Sequence, residues 1–358
     1  MARFYDLKVL EIKQETADCV SIELAVPNHL KEVFAFVQGQ HLTFKKNING
    51  QEVRRNYSIC TAPYEDRLKV AVKKVENGLF STFANESLKP GDVLETLPPM
   101  GRFFVQIDPT MPKNYLAFVS GSGITPIISN IKATLAGEPQ SKYTLFYGNK
   151  GRKSVIFKEE LDGLKNRFMS RFSYYHIFSR EHLEAEFFNG HIDKNKLMHF
   201  NGKLFDLNAT DEIFLCGPQQ MMVELKNGLD ELGFDRKHVH TELFTTPGLN
   251  NLVKSDVSKK PKPNGIDSHV SVIIDGNKFQ FEIHGNDTIL DAAGRQGADL
   301  PFACKGGVCC TCKARLMEGA VRMDSNFGLE QDEIDAGFVL TCQSHPETEN
   351  VVISYDDH

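Results

Sequence analysis

The stretch Cys304-Lys305-Gly306-Gly307-Val308-Cys309-Cys310-Thr311-Cys312, followed by Cys342 after a gap of 29 residues, decides how the chain folds at its C-terminal end. The spacing is C-x4-C-x2-C…C, the arrangement in which a chain holds a two-iron two-sulfur (2Fe-2S) cluster. Two irons require four thiolates. A short loop can supply three of them only if its backbone wraps closely around the sulfides. Gly306 and Gly307 permit that approach and leave N–H groups free to bond sulfur. A zinc site calls for two close pairs, C-x2-C…C-x2-C, whereas here the fourth cysteine stands alone and the first interval is four. Five of the eight cysteines fall in the last 55 residues. The first residues, Met1-Ala2-Arg3-Phe4-Tyr5-Asp6, have no apolar h-region, so no secretory signal and a cytoplasmic location are expected, and metal binding is favoured over disulfides. Cys304, Cys309, Cys312 and Cys342 are the candidate metal ligands; Cys310 is spare, a small buried residue.

Outward from this loop, Val270–Ile274 and Lys278–Ile283 read as a hairpin through Asp275-Gly276-Asn277. Thr288–Arg295 reads as a helix, and Lys313–Met317 and Val351–Tyr355 as further strands, which together predict a small β-grasp domain over 268–358. That segment carries 15 Asp plus Glu against 6 Lys plus Arg, while the rest of the chain is nearly neutral, with 32 acids and 35 bases. Residues 246–267 contain Pro247, Gly248, Lys259-Lys260-Pro261-Lys262-Pro263 and Gly265 without periodicity, and read as a linker.

The body divides near Ile107–Pro112. Before it, runs such as Tyr5–Lys13, Val20–Val26, His41–Lys46, Glu52–Ile59 and Leu68–Val75 alternate apolar and polar residues, predicting an antiparallel β-barrel over 1–110. After it, strand candidates (Tyr115–Ser120, Tyr143–Tyr147, Arg171–Phe178, Glu212–Cys216) alternate with helix candidates (Pro126–Leu135, Gln219–Leu232). That pattern predicts an α/β, Rossmann-like domain over 111–245. The whole is a multidomain protein of 358 residues. No run of about 18 apolar residues exists, so no membrane span is expected. A net charge of -6 makes nucleic acid an unsuitable principal partner.

Five motifs follow in order along the body. Arg55-Asn56-Tyr57-Ser58 lies on a barrel strand. Gly78-Leu79-Phe80-Ser81 opens a helix, where N–H groups can meet phosphate oxygens. Gly121-Ser122-Gly123-Ile124-Thr125-Pro126 follows the first parallel strand, with Thr125 as helix N-cap and Pro126 as first helical residue. Its glycines let a pyrophosphate approach the helix end. Ser179-Arg180-Glu181 follows another strand. Cys216-Gly217-Pro218 closes a strand and opens a helix.

Over essentially its whole length the chain resembles the ferredoxin–NADP reductase family of flavoproteins joined to a C-terminal plant-type ferredoxin. The layout is most similar to the reductase subunits of phenylacetyl-CoA epoxidase (ring-1,2 monooxygenase) systems. That resemblance implies FAD bound with Arg55 on its pyrophosphate, Tyr57 stacked on the isoalloxazine and Ser58 on a ring nitrogen. It implies a contribution from Gly78 and Ser81 to the same cofactor, and a nicotinamide loop at Gly121, Gly123 and Thr125. Cys216, with Gly217, would lie beside the nicotinamide C4, making Tyr57, Ser58 and Cys216 the residues around the reacting atoms. Glu242 and Phe244 would approach the flavin ring. In relatives that use NADPH, a serine and an arginine at the places of Ser179 and Arg180 clasp the 2′-phosphate, so NADPH is favoured over NADH. The Tyr147-Gly148-Asn149 element resembles a family motif whose arginine is displaced here to Arg152.

Electron counting gives the direction. NADPH supplies two electrons and a 2Fe-2S centre takes one, so flavin stands between them as converter. The expected route runs from NADPH through FAD and the cluster to an external diiron oxygenase. Reductases of Rieske-type or steroid oxygenases, and electron-transfer subunits that do not themselves oxidise NADPH, are the alternatives. Glu330, Asp332, Glu333 and Asp335 are expected to steer docking to a basic partner surface.

Overall fold

Alternating strands linked by tight turns build the first unit. The computed structural model describes residues 3–244, 267–284 and 286–357. β1 (Tyr5–Thr16), β2 (Cys19–Ala25), β3 (His41–Ile48), β4 (Gln51–Ser58), β5 (Leu68–Lys73) and β6 (Val93–Thr96) form one antiparallel sheet in the order β4-β3-β6-β1-β2-β5. Ile59, just past β4, bridges Val70 of β5 and closes the sheet into a barrel. Leu7, Ile22, Leu42, Phe44, Val70 and Leu94 fill its interior. Asn49 and Gly50, both at positive φ (54° and 80°), make the two-residue turn between β3 and β4, which suits strand twist. α1 (Leu79–Glu86) follows β5.

The second unit alternates strand and helix: β7 (Asn114–Ser120), α2 (Ile124–Gly137), β8 (Lys142–Asn149), α3 (Lys158–Arg167), β9 (Phe172–Phe178), α4 (Lys194–Phe200), β10 (Glu212–Gly217), α5 (Gln219–Glu231) and β11 (Val239–Leu243). The five strands are parallel, in the order β11-β10-β7-β8-β9. Apolar clusters cover both faces, as a parallel sheet requires. α2 is buried from Ile124 to Leu135 because it also packs on the barrel. Ser129 Oγ donates to Thr61 O at 2.7 Å, Asn130 Nδ2 to Phe103 O at 3.1 Å and Lys132 Nζ to Cys60 O at 3.2 Å.

Here the expectation for Thr125 is corrected. A 3-10 turn over Gly121–Gly123 runs straight into α2, which begins at Ile124. Thr125 therefore lies inside the first turn, its Oγ1 donating to Ser122 O at 3.0 Å, and is not the N-cap.

The third unit contains β12 (Ser268–Ile274), β13 (Asn277–Ile283), α6 (Ile289–Arg295), β14 (Lys313–Glu318), β15 (Val321–Met323), α7 (Gln331–Asp335), β16 (Phe338–Leu340), β17 (Ser344–Pro346) and β18 (Asn350–Ser354). Its main sheet runs β13-β12-β18-β14-β16, with β15 and β17 paired apart. Thr288 caps α6 by accepting from Asp291 N at 3.2 Å. The linker expected over 246–267 lies outside the described residues, Asp267 excepted. Among the described residues no helix is long and apolar enough to cross a membrane.

Candidate functional site

The cysteine loop is built on positive-φ backbone at Lys305, Gly307 and Cys310. Gly307 is required: at φ +71° a Cβ there would stand 2.7 Å from Ser325 O. Gly306 meets no such crowding, and its N–H instead points at Cys304 Sγ, 3.3 Å away. Among the described residues no three Cys, His, Asp or Glu side chains converge on a single metal-sized point. The sulfurs pair instead, Cys304 with Cys309 and Cys312 with Cys342. Two adjoining pairs are the donor set a two-iron centre needs. The Cys309 thiol first, then the N–H groups of Gly306, Val308 and Cys309, draw Cys304 down to about 6 against the opposing effect of burial. Cys342 is lowered in the same way, by Cys312 and then by the Gly307 N–H and the Gln343 side chain. Their partners move the other way: Cys309 is raised well above the ordinary thiol value by its bond to Cys304 and by burial, and Cys312 likewise by Cys342 and burial, so each pair shares a proton. Cys310 turns away and donates to Gly328 O; burial raises it to about 12.

Strand β4 carries the Arg55-Asn56-Tyr57-Ser58 segment. Its pleat sends Tyr57 towards Phe44 and Phe80, with ring centroids 6.1 and 5.4 Å away. Arg55 is exposed, and its Nη1 donates to Arg54 O at 2.7 Å. Ser58 is buried, and its Oγ lies 3.5 Å from Glu242 Oε2 on β11. Glu242 is the register partner of Cys216 on β10. Burial lifts the Glu242 carboxyl to about 8, opposed by the Ser58 hydrogen bond. Burial also holds Cys216 well above its ordinary value, as a neutral thiol.

Gly123 packs directly on Cys216: a Cβ there would stand 2.5 Å from Cys216 O and 3.0 Å from its Sγ. Gly121, at φ +56°, faces open space, and its carbonyl accepts from Tyr147 Oη at 3.0 Å. Phe244 N donates to Gly217 O at 3.2 Å. Residues from three motifs and from Glu242, up to 184 positions apart, therefore line one junction.

Two other motifs stand apart from it. Ser81 does not offer a free hydroxyl: its Oγ accepts from Val75 N and donates to Gly78 O, both at 3.2 Å. A Cβ on Gly78 would lie 2.4 Å from that oxygen, so the pair closes a turn. Ser179 and Arg180 lie past β9 on the rim of the parallel sheet. Arg180 is exposed, whereas Arg152 Nε is 3.0 Å from Glu181 Oε1. Beside them opens a pocket of about 450 Å³ lined by Arg152, Lys158, His176 and Phe178 among others.

The cluster domain sits against β4. Arg54 is buried; it pairs with Asp299 and Glu52 at 2.9 Å each and stacks 4.2 Å from the Phe302 ring centroid. Asn56 Nδ2 donates to Thr311 Oγ1 at 2.9 Å. Glu333 is buried between Lys313 (2.8 Å) and Arg102 of the barrel (3.0 Å). Glu333 therefore leaves the set of steering acids expected above, because a cation from another unit binds it; Glu330, Asp332 and Asp335 remain exposed. Sequence reading also missed Arg54, Asn56 and Thr311. The Arg54-Arg55 doublet was the available signal, since two adjacent strand residues face opposite ways and need different partners.

Three family models match the chain: an oxidoreductase FAD-binding domain over 6–105, an oxidoreductase NAD-binding domain over 119–226 and a 2Fe-2S iron-sulfur cluster binding domain over 272–347. One of the component polypeptides of the 1,2-phenylacetyl-CoA epoxidase of Escherichia coli (strain K12) is 42% identical over 357 residues, 99% of either chain. The chain belongs to the ferredoxin–NADP reductase-type flavoproteins with a C-terminal 2Fe-2S domain. A second member, the ferredoxin reductase component of 3-ketosteroid-9-alpha-monooxygenase from Rhodococcus rhodochrous, is 31% identical, covering 98% of this chain and 96% of that one. The solved phthalate dioxygenase reductase shares the fold, with a TM-score of 0.56 at 22% identity over 98% of both chains. The protein is thus an oxidoreductase of the oxygenase-reductase type, with an FAD domain, a nicotinamide-binding domain and a 2Fe-2S domain.

Proposed function

We propose that this protein oxidises NADPH and delivers electrons singly to the diiron oxygenase of a phenylacetyl-CoA epoxidase system. The observation that carries the reading is the double contact of β4. Ser58 meets Glu242 beside Cys216 on one side, and Asn56, two residues earlier, meets Thr311 of the cluster loop. One strand thereby abuts both the nicotinamide-binding and the cluster-binding units.

When bound, FAD converts a two-electron donor to single-electron steps and the 2Fe-2S cluster carries one electron at a time. The residues hold and orient. Tyr57 offers a ring fixed by Phe44 and Phe80. Glu242, with its pKa near 8, keeps a proton at neutral pH and can donate it as a hydrogen bond rather than bring a charge. Cys216, neutral and immobile against Gly123, gives the nicotinamide a soft apolar wall. Cys304, Cys309, Cys312 and Cys342 would hold the cluster. The exposed Arg180, with Arg152 and Lys158 at the adjoining pocket, favours a dinucleotide bearing a 2′-phosphate.

The test is anaerobic mixing of the purified holoprotein with NADPH. Loss of flavin absorbance followed by appearance of the reduced-cluster signal supports the reading, and Arg180→Ala should abolish the kcat/KM preference for NADPH over NADH. A flavin that stays oxidised with either nucleotide defeats it. The match to a steroid oxygenase reductase makes that oxygenase the second acceptor to assay.

A further inference from the structure

The seams between the three units are built from different materials. Between the barrel and the parallel sheet one apolar cluster runs across: Cys60, Ala71 and Phe103 share it with Ile124, Ile127 and Cys216. The cluster domain has a core of its own, drawn from residues 270–355. Of its described apolar residues only Val308 packs on an apolar cluster of the body. Charged pairs join the two units instead. Arg102 Nη1 lies 3.0 Å from Glu333 Oε1, and Arg54 Nη2 lies 2.9 Å from Asp299 Oδ1. In both, the body supplies the arginine and the cluster domain the carboxylate. Each pair can part without stranding a buried charge. Glu333, with a side chain only 6% exposed, also holds Lys313 of its own unit at 2.8 Å. Arg54, equally buried, also holds Glu52 of its own strand at 2.9 Å. The other two members, Arg102 and Asp299, have side chains 63% and 39% exposed and pass to water. Breaking a buried pair is strongly destabilising when one charge is left alone; here both buried members keep a counterion.

We infer that the cluster domain is latched to the body by ion pairs that can open, and that Arg102, acting through Glu333 and Lys313, is a positioning residue for electron transfer from flavin to cluster. Lys313 directly follows Cys312, so the hold of Arg102 on Glu333 reaches the cluster loop through a single carboxylate. Closed, the latch keeps that loop against β4 for the step in which one electron leaves the reduced flavin and enters the oxidised cluster, twice for each NADPH consumed. Solvent-reached ion pairs are screened by salt, whereas apolar packing is not. Ionic strength therefore opens the seam to the cluster domain and leaves the seam between barrel and parallel sheet shut. The inference rests on the proposed reading of the chain as a flavin-to-cluster reductase with the four cysteines as ligands.

The test is hydrogen exchange in the full-length holoprotein, read by peptide mass spectrometry, with stopped flow beside it. Local opening exposes amides in proportion to the open fraction. Segments 296–303 and 328–337 carry Asp299, Phe302 and Glu333, whereas the β12–β13 hairpin makes none of these contacts and serves as reference. Arg102→Met should speed exchange in 328–337 about fivefold and leave the hairpin unchanged. Arg102→Lys, which keeps the charge, should return most of the loss. Raising NaCl from about 0.05 M to about 0.5 M should speed exchange of the parent in both seam segments by a similar factor. In anaerobic stopped flow with saturating NADPH at the higher salt, Arg102→Met should bleach its flavin at the parent rate and reduce its cluster about fivefold more slowly. Seam exchange that ignores both salt and Arg102→Met overturns the latch. So does hairpin exchange that rises in step, which would mean that the domain unfolds rather than undocks. Cluster reduction that keeps the parent rate overturns the positioning role. A parent protein without iron or acid-labile sulfide, or one whose flavin stays oxidised with NADPH, would instead sink the underlying reading.

Discussion

Replacing Glu242 with glutamine should flatten a pH dependence that the carboxyl imposes on stability. Burial raises this group from 4.5 to about 8, with Ser58 pulling the other way. Across the window between those values the folded protein holds a proton that the unfolded chain has released. Stability therefore falls as pH rises through that window, by at most about 1.4 kcal/mol per pH step. Over the full window that is about 5 kcal/mol as an upper bound. The side chain keeps some contact with solvent, so roughly 2 kcal/mol is expected after screening. The assay is urea unfolding of the holoprotein at fixed ionic strength from about pH 5 to about pH 9, comparing midpoints with those of Glu242→Gln. The parent should lose ground steadily against the variant and then level off above about 8. Parallel midpoints across the range would mean that Glu242 is ionised and hydrated in the folded protein, against the burial that raises it.

Two other substitutions probe the contacts between units, one at Cys216 and one at the cluster domain. Gly123→Ala places a methyl group 2.5 Å from Cys216 O; relieving it should cost about 1–3 kcal/mol and slow flavin reduction by NADPH about tenfold or more in anaerobic stopped flow, with flavin and cluster spectra retained, whereas an unchanged rate would separate the loop from Cys216. Arg54→Met breaks the pair with Asp299 and the contact with Phe302. A double-mutant cycle with Asp299→Asn, read by thermal unfolding of the cluster signal, should return a coupling of about 1 kcal/mol, and zero coupling would show the two units do not hold each other there.

What the sequence made legible follows from chemistry that is local. A cluster loop must bring three sulfurs within a few residues, so the C-x4-C-x2-C spacing is written in one short stretch. Strand-to-helix turns carry their glycines in place, and Gly121-Ser122-Gly123 and Cys216-Gly217-Pro218 could be recognised as such. Contacts between units leave no such trace. Asn56 and Thr311 are ordinary polar residues until the fold sets them 2.9 Å apart. Glu333 looked like one acid of a solvated helix because its partner Arg102 is 231 residues away. Short strands were lost for another reason. β6 and β15–β17 have three or four residues each, too few for a period of two to stand out. The cap at Thr125 failed because a 3-10 turn supplied the helix start first.

The register of a single hairpin governs how these parts meet. In the β3–β4 ladder His41 faces Ser58, Thr43 faces Asn56 and Lys45 faces Arg54. These alternate residues share one face of the sheet, and that face makes the contacts from β4 to the other units: Arg54 to Asp299, Asn56 to Thr311, Ser58 to Glu242. The residues between them, Tyr57 and Val53 opposite Leu42 and Lys46, face the other way, where Tyr57 packs on Phe44 and Phe80. A slip of one residue would exchange the two sets, turning Asn56 and Ser58 inwards and presenting an aromatic ring to the cluster loop. The turn at Asn49-Gly50, with both residues at positive φ, admits only one register. A two-residue turn far from any reacting atom therefore decides which side chains the cluster and the nicotinamide unit encounter, and lengthening it by one residue should uncouple both contacts at once while leaving the barrel able to close.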